Sequence, residues 1–78
     1  MFAAQYKKIG ARIVYYRKLK GMTQEYLAEL VGISPQYLSK IENGKYQKSV
    51  SLSVLMRVAE KLDVKMTQIL QDIDSGGT

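Results

Sequence analysis

The chain has 78 residues, 46% of them hydrophobic and 24% charged, with a formal net charge of +5 and neither cysteine nor histidine. A chain of this length buries only roughly 60% of the surface it exposes when unfolded, enough for one core and not for two, so a single domain over residues 1–78 is expected. The missing side chains exclude disulfides, thiol chemistry, zinc fingers and any triad built on imidazole, and no apolar run approaches the roughly 18 residues of a membrane span.

The opening segment, MFAAQYKKIG, lacks the long apolar stretch of a secretory signal. A soluble, cytoplasmic protein is therefore expected, with no membrane partner. A first helix is predicted from Ala3 to Lys20. Ile9, Ile13 and Tyr16 recur at i, i+4 and i+7 as its core stripe, while Lys7, Lys8, Arg12, Lys18 and Lys20 line its outer faces. The basic residues of its last turn suit the negative end of the helix dipole, and Gly21 stops it. Tyr15 and Tyr16 stand among cations, as in single-strand stacking platforms. Tyrosines on a helix more often pack ring-inward with the hydroxyl at the edge, and that is the expectation for this pair.

Two short helices follow between Gln24 and Asn43. Thr23 is placed to cap the first, with Gln24 and Glu25 in its first turn. Leu27 and Val31 lie four apart and share a face, and Ala28 is small enough for another helix to cross closely. Gly32 ends this helix, since it can take the left-handed conformation that a sharp reversal needs. Past the corner residue Ile33, Ser34 offers a capping hydroxyl and Pro35 a fixed φ suited to the first helical position. The next helix turns Leu38 and Ile41 inward and Gln36, Ser39, Lys40 and Asn43 outward, with Gly44 at its C-terminal end. Two helices crossing steeply, the second apolar along one stripe and polar along the other, form the geometry by which proteins enter the DNA major groove.

Gln24, Leu27, Ala28, Val31, Gly32, Ile33, Leu38, Ile41, Glu42, Asn43 and Gly44 match in register the helix-turn-helix of the Cro and phage-repressor-like XRE family. The likeness extends from about Ile9 to Leu70. The chain thus resembles a Cro/C1-type DNA-binding protein, which implies an all-α fold, a compact five-helix lambda-repressor-like domain. The resemblance also implies roles. Arg17 would pair with Glu42, tying the first helix to the end of the recognition helix, a pairing that Glu42 needs if it is partly buried beside Ile41. Gln24 would bond a phosphate and brace the recognition helix, at a helix N-terminus whose backbone N–H groups also face the anion.

In related phage repressors, bases are read from the positions matching Pro35, Gln36 and Lys40, often by glutamines, and this chain departs from that at two of the three. Glutamine suits adenine, lysine suits guanine, and Pro35 offers apolar contact alone, for instance to a thymine methyl; Ser39 completes the base-contact set, although it and Lys40 could equally bond phosphates. Thr23, Ser34, Tyr37, Asn43 and Lys45 are expected on the DNA backbone, joined by Tyr46, Gln47 and Lys48 of the loop that follows. That loop lacks the proline many relatives carry and resembles the longer loop of some lambdoid repressors.

A fourth helix is predicted from about Ser51 to Leu62, with Val54, Leu55, Val58, Ala59 and Leu62 at helical spacing, broken by Asp63 and Val64. The last runs from about Met66 to Ile73, and residues 74–78 should fray. Lys65 stands where relatives tend to place a capping serine or aspartate. Met66, Ile69 and Ile73 are the expected dimer contact. Charge divides unevenly: through Lys48 there are nine cations and three acids, +6, and from Ser49 onward three cations and four acids, −1. A basic motif-bearing half points to a polyanion.

The function expected is sequence-specific double-stranded DNA binding by a small transcriptional regulator, a repressor, acting as a homodimer at a near-palindromic site. No cofactor, metal or small-molecule ligand is expected, and no enzymatic activity. The competing reading is a protein-interaction module, antitoxin-like or adaptor, on the same scaffold; against it, the outer face of the recognition helix is polar, without a large apolar patch.

Overall fold

Why the chain turns where it does is visible at each helix end. A computed structural model describes residues 3–45 and 50–70, and among these it contains α-helices and no strand. The helices are α1 (Ala3–Leu19), α2 (Gln24–Val31), α3 (Pro35–Glu42), α4 (Leu52–Leu62) and α5 (Met66–Leu70). Thr23 Oγ1 accepts from the Tyr26 N–H at 3.0 Å and Ser34 Oγ from the Tyr37 N–H at 3.0 Å, so α2 and α3 each begin on a side-chain cap. Between them Gly32, at φ +86°, donates its N–H to Ala28 O at 2.9 Å and reverses the chain within three residues.

The core is drawn from every helix. Ile13, Leu27, Leu38, Ile41, Val58, Leu62 and Ile69 are fully buried, each contributing roughly 1.5–3 kcal/mol by removal from water. The predicted stripe of α4 is buried in full, and α2 and α3 close over it through Leu27, Val31, Leu38 and Ile41. α1 packs across α3, α4 and α5, and so braces the recognition pair from behind. Asp63 ends α4 in the left-handed conformation at φ 57°, which its short polar side chain tolerates better than most residues. α5 is not left without a cap at Lys65. Gln68 reaches back and its Oε1 accepts from the Lys65 N–H at 2.9 Å, the reciprocal half of a capping box.

Two expectations are corrected. Ile69 is completely buried in the domain core and has no surface to give a second subunit, because α5 turns it against α1 and α4. Met66 is half-buried against the same core, and the exposed apolar residue of α5 is Leu70. The tyrosine pair also divides: Tyr16 packs inward with its hydroxyl accepting from Gln68 Nε2 at 3.4 Å, whereas Tyr15 points outward. Tyr46, Gln47, Lys48, Ile73 and the tail at 74–78 lie outside the described residues.

Candidate nucleic-acid interface

The site is organised by one buried carboxylate. Glu42, the last residue of α3, accepts from Arg17 Nε at 2.7 Å, from Arg17 Nη2 at 3.1 Å and from Gln24 Nε2 at 2.9 Å. Arg17 Nη1 donates in turn to Met22 O at 2.8 Å, in the segment joining α1 to α2. Glu42 and Arg17 are both buried, and the two-pronged geometry spreads the carboxylate charge over parallel N–H donors. α1, the α1–α2 connection, α2 and α3 thereby meet at one point. A buried pair of this kind is weak evidence of net stability, since desolvation offsets much of the attraction. Its geometric consequence is firmer: the C-terminal end of α3 has one permitted position.

Gly10 reinforces that position by being absent in side chain. A Cβ there would collide with the carbonyl oxygens of Ile41 and Glu42, so α1 lies directly against the exposed carbonyl end of α3. At Gly44, at φ +67° just beyond α3, an added Cβ would collide with Lys7 of α1. Neither role was read from the sequence. An isolated glycine inside a helical pattern was the available signal, since such a residue usually marks a close approach.

The opposite side of α3 is open. Ser34, Pro35, Gln36, Lys40, Asn43 and Lys45 are exposed and Ser39 is half-exposed, with Gln36, Ser39, Lys40 and Asn43 on the face turned away from Leu38 and Ile41. Asn43 Nδ2 donates to Ser39 O at 2.8 Å and, more weakly, to Ser39 Oγ at 3.4 Å, which ties those two side chains to one another. Ser34 and Thr23 use their oxygens as cap acceptors, and each hydroxyl keeps its proton to donate outward. Gln24 spends one amide hydrogen on Glu42 and retains the other. Tyr37 is half-buried and packs its ring on the core, so only its outer edge is on this surface.

A short capped helix, pinned at one end and polar along its outer face, following a second helix across a glycine turn, is a helix-turn-helix. Residues 13–69 match the sequence model of the helix-turn-helix family HTH_3, and the chain belongs to that family. It is 40% identical over 74 residues to the ImmF control region 10 kDa protein of Bacillus phage phi105, covering 91% of this chain and 81% of that protein. It is 41% identical over 66 residues to the HTH-type transcriptional regulator SinR of Bacillus licheniformis, covering 85% of this chain but 59% of SinR. The crystal structure of SinR in complex with DNA superposes with a TM-score of 0.74 at 40% identity, over 81% of this chain and 98% of that one. The restriction-modification controller protein C.AhdI from Aeromonas hydrophila superposes with a TM-score of 0.78 at 33% identity, over 85% and 97%. No helix of the described residues is long and apolar enough to cross a membrane.

Proposed function

We propose that this chain binds double-stranded DNA in a sequence-specific manner and represses transcription, as a cytoplasmic regulator without cofactor or catalytic activity. The observation that carries the reading is the division of α3 into a buried side, held through Glu42, and an exposed polar side. Membership of the helix-turn-helix family and the likeness to SinR, which has been solved with DNA, support it. Pro35, Gln36, Ser39 and Lys40 are assigned to base edges; Thr23, Gln24, Ser34, Asn43 and Lys45, with Tyr46, Gln47, Lys48 and the edge of Tyr37, are assigned to the backbone.

One such module covers only about 600–1,000 Å² of surface, which is seldom enough for tight specific binding. A homodimer on a near-palindrome is the remedy, with recognition helices about 34 Å apart. Leu70 and the edge of Met66 are the apolar surface α5 offers for it. Selection from a random duplex library near physiological salt tests the reading. Enrichment of a near-palindrome with half-sites about one helical turn apart supports it; retention without a motif, or none at all, overturns it.

A further inference from the structure

The outer side of α1 carries a surface that DNA reading does not use. At about 100° per residue, the residues α1 buries toward the core, Gly10, Ile13 and Arg17, mark one side of the helix. Ala11, Tyr15 and Leu19 fall on the other. All three are exposed, Tyr15 at 59% and Leu19 at 65%, and their four-residue spacing stacks them into one apolar stripe. Apolar residues exposed singly are ordinary, but a stripe beside a concavity is not.

A groove of about 340 Å³ opens along this stripe, lined by Ala11, Arg12, Tyr15 and Tyr16. Its wall is ordered in advance. The Tyr15 ring meets Tyr16 edge-on with centroids 5.0 Å apart, and Tyr16 is tied to α5 through Gln68. Little conformational freedom would be lost on occupying it. The charged residues of α1 beside the Tyr15 stripe, Arg12 and Lys18, are both cations. Arg12 lines the groove, and its Nε is buried without a hydrogen-bond partner among the described residues. Lys18, exposed, flanks Tyr15 one turn on. A buried donor without an acceptor is unusual in a folded protein, and a carboxylate laid into the groove would accept a charge-assisted bond from the guanidinium.

We infer that this face of α1 docks a protein segment that is acidic and apolar-faced, in the helix-in-groove manner. Its apolar centre and its direction, away from α3, disfavour a nucleic acid as occupant. A partner held there would leave the outer face of α3 open, and the inference does not depend on the DNA-binding reading.

The test is a random peptide display library panned against the full chain, with counter-selection on the Arg12→Glu, Tyr15→Ala double variant. The expected survivors combine Asp or Glu with Leu, Phe or Trp. The tightest of them, titrated into isotope-labelled protein, should shift the amides of Ala11 to Leu19 and leave those of Gln36 to Lys40 unmoved. Tyr15→Ala and, separately, Leu19→Ser should each weaken it about tenfold or more while the helical circular-dichroism signal is kept. Absence of enrichment overturns the inference, as do peptides that are neutral or basic, or shifts on α3 or around Leu52 and Met56. Equal loss of duplex DNA binding in Arg12→Glu and Tyr15→Ala would reassign the face to nucleic acid.

Discussion

The two ends of α3 are built in opposite ways. At its C-terminal end Glu42 is buried and receives three N–H groups from Arg17 and Gln24, and the backbone of α1 presses on its last carbonyls through Gly10. At its N-terminal end Ser34, Pro35 and Gln36 stand in solvent, held by a single serine cap. A reading helix needs both conditions. Satisfied buried groups fix where the helix lies, and side chains without internal partners are what remains to meet another molecule. Changes at the first end should therefore appear in folding, and changes at the second in binding.

Removing Glu42 is the hardest test of that division. Glu42→Ala strands Arg17 in a buried site and should cost about 3–5 kcal/mol of folding stability, read from urea unfolding. Arg17→Met together with Glu42→Leu should recover most of that loss, because no unpaired charge remains. A Glu42→Ala protein with an unchanged unfolding midpoint would break the comparison.

Gly10→Ala sharpens it through the sign of its effect. In an exposed helix the change gains up to about 1 kcal/mol. Here the new Cβ meets the carbonyls of Ile41 and Glu42 and should cost about 1–3 kcal/mol instead. A gain in thermal midpoint would show that α1 can slide off α3 without penalty.

Gln36→Ala should do the reverse of both. Folding stability is expected to stay within about 0.5 kcal/mol, while affinity for the selected site falls by about 1–3 kcal/mol and one base position relaxes. Ser34→Ala is the exception at that end, because Ser34 is also its one internal support: losing the cap should cost about 1 kcal/mol of folding stability by denaturant titration. The smallest effect is expected at Lys45. Its replacement by alanine should weaken cognate and random duplexes by one common factor and reduce the salt slope by about one, with base preference unaltered. A change of preference there would extend the reading surface past the end of α3.

Much of this was legible in the residues. The caps at Thr23 and Ser34, the turn at Gly32 and the buried set Leu27, Val31, Leu38 and Ile41 follow from local periodicity and from what each backbone conformation demands. The stripe of α4 was equally plain, since it repeats over three turns with no competing pattern. Other features were hidden. Ile69 and Leu70 are both apolar and adjacent, and on a helix as short as α5 periodicity does not say which one the core takes. Tyr15 and Tyr16 pose the same problem one residue apart. Gly10 has no side chain to carry a pattern, and the Gln68 cap of α5, although only three residues from Lys65, was passed over because Lys65 lacks the capping side chain that usually marks such a start.

What the sequence determined by itself is the set of helices, the ends of α2 and α3 and the polar outer face of α3, because each depends on residues within a turn or two of one another. The pairing of Arg17 with Glu42 was implied by the family resemblance; only the tertiary structure decided that Gln24 joins it on the same carboxylate, that α1 approaches close enough to need a glycine, and that Ile69 belongs to the core. Those are contacts between residues far apart in the chain. Their existence depends on how rigid helices of given length can be packed around one small core, and no local pattern encodes that.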